Sequence, residues 1–345
     1  MSPRPLPWFL ASLVLGFLAL PILSGVAGFP TREQVYRGTD RRENLSWFVY
    51  HHLFREKSPL DIAILGSSHL AAGLDALTLE RLLTERLGRP ATVIVLPAFF
   101  RAVDLQFLLL EDLLRQRRVR MVVVDPGTDT QVNPNPHLYR ILQWGHPAEV
   151  WGSLPAGEYL RWYALTCYST PRQLLAALFP RPILPPEARY TARNGSTFDA
   201  QTPLPDWLLR RASAGRASLE EVSYPPERYN ELYFAPILSS YQHFFLRHFI
   251  ELAVRNETVP VVVRFPFLER ARERELTLPE GLRSTLSEAR VTVLGITPAA
   301  LFEGLDDRTV ASLYADPVHF NAAGSHLHTA IIAPALVEEY ARQYR

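Results

Sequence analysis

Cysteine is almost absent from this chain of 345 residues, in which Cys167 is the single example. One thiol cannot form an internal disulfide, and no second cysteine is available for a zinc or redox motif. Cys167 lies between Thr166 and Tyr168 in an apolar stretch. We therefore exclude a disulfide framework and predict a buried structural thiol.

An excess of charge is also missing, because 36 basic residues are balanced by 35 acidic ones and the formal net charge is +1. Such a balance creates no large field to attract a polyanion, and it gives no support to nucleic-acid binding. Hydrophobic residues nevertheless make up 48% of the chain. This composition, at this length, is typical of a folded protein with a sizeable core.

One long hydrophobic run is present, because residues 7–29 carry no charge. At 1.5 Å per residue this run is long enough to cross a hydrocarbon core of about 30 Å. We predict a retained membrane anchor for residues 1–29, with a cleaved signal peptide as the alternative. Arg4 precedes the run and four arginines follow it, so the positive-inside rule does not favour an exported carboxyl-terminal domain. Large domains can cross regardless of such charges, which leaves the orientation open.

The remainder divides into a linker at residues 30–59 and one domain at residues 60–345. The aromatic sequence WFVYHHLF at 47–54 predicts a short amphipathic juxtamembrane helix, in which the two histidines are interfacial or core-edge residues. From residue 60, short apolar runs alternate with helical patterns. Strands are predicted at 61–65, 91–96 and 119–125. This alternation predicts an α/β fold with a parallel sheet covered by helices on both faces.

The middle of the domain interrupts that alternation. Residues 127–235 are rich in Pro, Trp and Tyr, and they predict an insertion with short helices that forms either an acceptor groove or a packing cap. A helix near 236–255 and strands at 259–265 and 291–295 resume the pattern before a final helix.

Two segments carry the residue types of a serine catalytic site. Gly66, Ser67, Ser68 and His69 follow the first predicted strand, and functional residues collect at the carboxyl ends of parallel strands. A nucleophilic serine needs a base, normally a histidine oriented by a carboxylate. The sequence ADPVHF before the final helix contains such an acid and base three residues apart. The two segments together predict a Ser-His-Asp site.

The two segments resemble the motifs of a known family. ILGSSHLAAGLD at 64–75 resembles the first sequence block of the SGNH/GDSL hydrolases, and ADPVHFNAAG at 315–324 resembles their last block. The resemblance implies Ser68 as nucleophile, His319 as base and Asp316 as the orienting acid, with no cofactor and no metal. It also implies a three-layer α/β/α domain around a parallel five-stranded sheet. It covers about residues 60–126 and 236–345.

The Gly-Ser-Ser opening behind a membrane anchor is similar to one branch of that family, the D-alanyl transfer and alginate O-acetyltransferase group. Those proteins act outside the cell membrane beside a multi-spanning acyltransferase. The similarity implies a single-pass membrane protein with an extracytoplasmic catalytic domain. It also implies an acyl donor, a glycan or polymer acceptor, and a multi-spanning membrane O-acyltransferase as a possible partner.

The oxyanion-binding positions depart from the family pattern. The family's glycine after the second strand falls near Ala98, and its Gly-x-Asn falls on Gly127, Thr128 and Asp129. An ionised Asp129 would repel an oxyanion, and loss of one oxyanion donor costs about a hundredfold to a thousandfold in rate. A backbone amide near Ala98, Thr128, or Asn133 could replace the missing donor. Weak or absent hydrolysis follows if none of them does.

Other interpretations of these residues stay open. Ser67 or Ser68 could simply cap the following helix. An α/β-hydrolase elbow requires a second glycine where Leu70 stands, and a metal site using His326 and His328 matches no ligand spacing. Two functions remain: a membrane-anchored serine esterase or O-acyltransferase, and a non-catalytic protein of the same fold that docks on a membrane acyltransferase. Asp125 at the end of the third strand is predicted to be a cap, with substrate binding as the alternative.

Overall fold

The computed structural model of this chain describes residues 5–38, 49–97, 103–125, 134–135, 137–180, 239–275, 278, 281–316 and 318–344. The chain divides into two compact units. Residues 43–131 and 185–345 form the first, here called the sheet unit. Residues 1–42 and 132–184 form the second, called the helical unit. The predicted linker is thus shared between the two units.

The sheet unit is built on five parallel strands in the order β2-β1-β3-β4-β5. The strands are β1 Leu60–Gly66, β2 Val93–Pro97, β3 Val119–Val124, β4 Val259–Val263 and β5 Thr292–Leu294. All seven residues of β1 are buried, as a continuous apolar run in the centre of a parallel sheet predicts. The predicted α/β class and parallel sheet are confirmed, with strand ends shifted by one or two residues.

The strand register places the ends of the central strands at one edge of the sheet. Gly66 at the end of β1 pairs with Pro97 of β2, and Leu65 pairs with Val124 of β3. Val124 in turn pairs with Val262 of β4. The segments that leave β1, β3 and β4 therefore begin side by side, which is where the predicted nucleophile segment lies.

Helices cover this sheet in pairs. Within the described residues, the α-helices of the sheet unit are α3 Ser68–Gly73, α4 Ala76–Leu87, α5 Val103–Gln116, α8 Ser240–Arg255, α9 Leu282–Glu288, α10 Pro298–Leu301, α11 Asp307–Ala311 and α12 Ala322–Gln343. Helices α4 and α12 pack together in one hydrophobic cluster with alternate residues of the strands. Helices α5 and α8 pack against each other and contact β1 and β4, respectively.

The helical unit contains α1 Pro5–Ala27, α2 Arg32–Gly38, α6 Gly145–Glu149 and α7 Ala156–Leu178. Helix α1 is apolar and long enough over Pro7–Ala27 to cross a membrane. Helix α7 contacts both α1 and α2, and it buries the predicted structural thiol Cys167.

The region from 127 to 235 was predicted to hold short helices, but α7 runs for 23 residues through Pro171. The hydroxyls of Ser169 and Thr170 donate to the carbonyl of Thr166, in the turn before the proline. The part of the predicted insertion that the structure describes thus belongs to the helical unit.

Candidate active site

The chain leaves β1 through a turn whose shape depends on a glycine. A side chain at Gly66 would place its Cβ 2.7 Å from the Cβ of Leu70, so a larger residue here would displace the first turn of α3. The hydroxyl of Ser67 then accepts a hydrogen bond from the backbone N–H of His69, at 3.3 Å. Ser67 is therefore the N-cap of α3.

This cap distinguishes the two serines of the Gly-Ser-Ser sequence. Ser67 is 2% exposed and its hydroxyl oxygen is engaged by the helix it caps. Ser68 is the first residue of α3, directly after the end of β1. Its side chain lies outside the described part of the structure. The capping interpretation thus applies to Ser67, and it leaves Ser68 as the candidate nucleophile.

The acid and base occupy a tight loop between α11 and α12. An isolated antiparallel bridge joins Tyr314 to Phe320, and the N–H of Ala315 donates to the carbonyl of His319 at 2.8 Å. Asn321 closes the loop by capping α12, because its side chain accepts from the N–H of Gly324. The base is therefore held by backbone bonds on both sides.

Gly324 is needed for this close approach. A side chain there would place its Cβ 2.2 Å from the carbonyl oxygen of Leu313 and 2.5 Å from the ring of Phe320. The glycine lets the first turn of α12 lie directly against the loop that carries His319. The glycine that ends the sequence FNAAG at 320–324 is thus required by the packing of α12 against this loop.

Asp316 and His319 form the acid-base pair that the sequence predicts. The Nδ1 atom of His319 lies 2.8 Å from each carboxylate oxygen of Asp316. The same carboxylate accepts the backbone N–H groups of Val318 and His319, at 3.0 and 2.9 Å. Burial pushes the pKa of Asp316 upward, but these hydrogen bonds and the attraction of His319 outweigh it and leave the pKa below its ordinary value. The acid is therefore ionised at neutral pH and fixes the imidazole with Nδ1 as donor and Nε2 as the outward nitrogen.

His69 joins the nucleophile segment to the base. Its ring centroid lies 4.6 Å from that of His319, at an interplanar angle of 71°. It also packs edge-on against Phe267, which follows β4. His69 is the residue after Ser68, so its contact places the beginning of α3 beside the base. The sequence placed His69 only in the segment after the first strand, and the ring contact was not predicted.

The end of α3 rests on a buried histidine of α12. His328 forms a hydrogen bond of 2.9 Å from its Nδ1 to the carbonyl of Gly73, and its ring packs against Phe265. Burial lowers the pKa of His328 to about 4, so it is neutral at physiological pH. A side chain on Gly73 would place its Cβ 2.1 Å from the ring of Phe265. Helix α3 is thus wedged between β1 and α12.

A second charged pair lies at the ends of β3 and β4. Asp125 was predicted to be a cap or a substrate-binding residue; its Oδ1 atom lies 2.9 Å from the guanidinium of Arg264, and both residues are buried. The carbonyl of Asp125 also accepts from the side chain of Gln106. This ion pair joins β3 to β4 beyond the last backbone pairing of the two strands. No local pattern in the sequence predicted it.

Ala98, Thr128, Asp129 and Asn133 lie outside the described residues, so the oxyanion predictions stay predictions. His326 and His328 both lie on α12, as expected. Within the described ranges, no group of three or more His, Cys, Asp or Glu side chains is arranged to hold a metal ion.

No protein-family model, no curated protein and no solved structure matches this chain.

Proposed function

We propose that this protein is a membrane-anchored serine esterase or O-acyltransferase of the SGNH type. The observation that carries the proposal is the Asp316-His319 pair on a rigid loop, with His69 of the Ser68 helix packed against the base. The order of the motifs, the five parallel strands and the position of Ser68 at the end of β1 support it. The proposal includes the three-layer SGNH architecture and an insertion between β3 and α8.

In the proposed reaction, the Oγ atom of Ser68 attacks an acyl carbonyl carbon and its proton passes to Nε2 of His319. Asp316 stabilises the imidazolium that forms, because its carboxylate already accepts from Nδ1. The carbonyl oxygen becomes an oxyanion, which the backbone amide of Ser68 is proposed to bind. Collapse expels the alcohol of the donor, which takes the proton from His319 and leaves an acyl-serine.

The second half of the reaction decides the class of enzyme. Attack by water on the acyl-serine releases a carboxylic acid and gives an esterase, whereas attack by a sugar hydroxyl gives a transferase. In both cases His319 takes the proton of the attacking group and returns it to Ser68. We propose an acyl donor and an envelope glycan or related polymer as the substrates, on the basis of the motif resemblance. A multi-spanning O-acyltransferase as partner and an extracytoplasmic site belong to the same proposal.

Labelling with a fluorophosphonate tests the proposal, because this probe reacts with activated serines. We expect the purified full-length protein to be labelled, and the Ser68→Ala and His319→Ala variants to be unlabelled. Ser67→Ala is the matched control and should retain labelling. A folded wild-type protein that takes up no label would contradict the enzyme and support the non-catalytic docking protein instead.

A further inference from the structure

Helix α1 meets other protein along one side of its carboxyl-terminal half. Every residue from 7 to 18 is exposed, whereas Ala19, Leu20 and Ser24 are partly covered and Pro21 is buried. In the same half Leu23 is 62% exposed and Val26 is 83% exposed, so its other side is bare. The fully bare stretch of 12 residues spans about 18 Å at the rise of an α-helix, and a hydrocarbon core is about 30 Å thick. If α1 crosses the bilayer, the rest of that core is crossed by a segment with protein on one side and lipid on the other.

Helix α7 supplies much of that covering protein. The hydroxyl of Tyr163 donates to the carbonyl of Leu18, at the boundary between the bare and covered parts of α1. Trp144 packs so closely on Gly25 that a Cβ there would lie 2.5 Å from the indole ring. The rings of Trp144 and Tyr163 also contact each other, at 5.8 Å. These contacts fix α7 beside the carboxyl-terminal half of α1.

One face of α7 is buried in the helical unit and the other carries large apolar side chains. The buried face includes Trp162 and Thr166, which are fully inaccessible. On the opposite side Leu160 is 64% exposed and Leu178 is 60% exposed, and the flanking residues Trp151 and Phe179 are 71% and 72% exposed. Such a set of exposed apolar residues on a helix needs an apolar environment to cover it.

The polar residues of this face are of the types that lie at a membrane surface. Trp151 pairs with Tyr159, with ring centroids 4.6 Å apart, and tryptophan and tyrosine are enriched at headgroup level. Arg172 bonds to the hydroxyl of Tyr168 at 2.7 Å, and Arg161 attracts the nearby carboxylate of Glu158. Long arginine side chains can reach the headgroups from a position among the acyl chains.

We infer that α7 is a second membrane-contacting element, lying in the leaflet around the carboxyl-terminal half of α1 with Trp151, Leu160 and Phe179 against lipid. The occupant of this face is the bilayer itself, because the face is continuous with a helix proposed to span it. The inference rests on the proposed anchoring by α1. It gives the helical unit the role of seating the protein on the membrane, beyond tethering it.

The single native cysteine makes a depth measurement possible. In the full chain with Cys167→Ala, one cysteine is introduced at Leu160, at Leu15 in the bare part of α1, or at Val254 on α8 of the sheet unit. All three positions are exposed. Each cysteine carries an NBD fluorophore, and each protein is reconstituted in phosphatidylcholine vesicles with or without lipids that bear a doxyl quencher in the acyl chain. As a control for a folding defect caused by Cys167→Ala, the same three cysteines are also introduced into the chain that keeps the buried Cys167.

We expect doxyl lipids to quench the probes at Leu160 and Leu15 to a similar extent and to leave the probe at Val254 unchanged. Quenching at Leu15 without quenching at Leu160 would overturn the inference while leaving the anchor intact, and it would indicate that water or another protein covers α7. Absence of quenching at both positions would overturn the anchor proposal and the inference together.

Discussion

In the sheet unit, β1 buries all seven of its residues, whereas in the helical unit every residue of α1 from 7 to 18 is exposed. In the sheet unit, ionisable side chains are paired and shielded from solvent, as are Asp316 with His319 and Asp125 with Arg264. The helical unit instead leaves apolar side chains such as Leu160 outside. The two units are therefore suited to different surroundings: one holds paired polar groups away from solvent, as the proposed reaction centre requires, and the other has the exposed apolar surface that the proposed lipid contact requires.

The largest expected effect comes from removing the proposed base, which should abolish most of the catalysis and leave membrane attachment intact. His319→Ala removes the base and should lower turnover of an acyl ester such as 4-nitrophenyl acetate on the order of ten-thousandfold. Membrane association should be unchanged, because the substitution lies in the sheet unit. Rates of the purified variant and its fraction in carbonate-washed membranes check both halves. Near-normal turnover would show that His319 is not the base.

A double substitution in α1 of the helical unit should have the opposite result: membrane attachment is lost and the active site stays intact. Val14→Arg together with Phe17→Arg places two charges in the bare part of α1, and each costs about 3 kcal/mol at the centre of a membrane helix. The protein should leave the washed membrane fraction while its active site still takes up fluorophosphonate. Val254→Arg on α8 is the matched control, since Val254 is also exposed but lies in the sheet unit. Retention of the double variant in washed membranes would count against the anchor.

A third, smaller effect tests whether the sheet unit depends on burying a neutral histidine. The pKa of His328 is lowered from 6.5 to about 4, so the unfolded state binds an extra proton between these pH values and stability rises with pH across that window. The contribution is roughly 3 kcal/mol, lost progressively as the pH falls from about 6.5 to about 4. We expect His328→Gln to flatten this part of the stability curve.

Denaturant unfolding at several pH values measures that curve. His326→Gln is the control, because its side chain lies on the same helix but is 46% exposed. Equal pH dependence in wild type and His328→Gln would mean that His328 is not buried as a neutral group.

The smallest expected effect comes from Ser67, the first of the two adjacent serines. Ser67→Ala removes the cap of α3 and should destabilise the sheet unit by about 1 kcal/mol. Thermal unfolding of the purified protein detects such a change, with Ser287→Ala at the end of α9 as an exposed comparison. No loss of stability would mean that the cap bond from His69 contributes little.

The sequence predicted the elements whose signal is local. Continuous apolar runs indicated the buried strands, and the helix at 76–87 ends at Gly88 in the left-handed conformation, as a glycine stop predicts. The Asp316-His319 pair was also accessible, because its partners are three residues apart on one loop. Contacts between segments that lie far apart in the sequence were not predicted. The pairing of Asp125 with Arg264 depends on β3 and β4 being neighbours, which the order of elements along the chain does not fix.

The same limit explains the other differences. The ring contact of His69 with His319 depends on how α3 meets the loop before α12, a tertiary arrangement with no sequence periodicity. Short helices were predicted for residues 127–235, yet α7 continues for 23 residues through Pro171. The oxyanion positions, including Ala98 and Asp129, stay predictions.

The most direct test of the account is to locate the fluorophosphonate adduct by mass spectrometry of the digested full-length protein. The account predicts a single modified serine, Ser68, in the segment that joins β1 to α3. Modification of Ser67, or of a serine elsewhere in the chain with Ser68 unmodified, would contradict the assignment of Ser68 as the nucleophile.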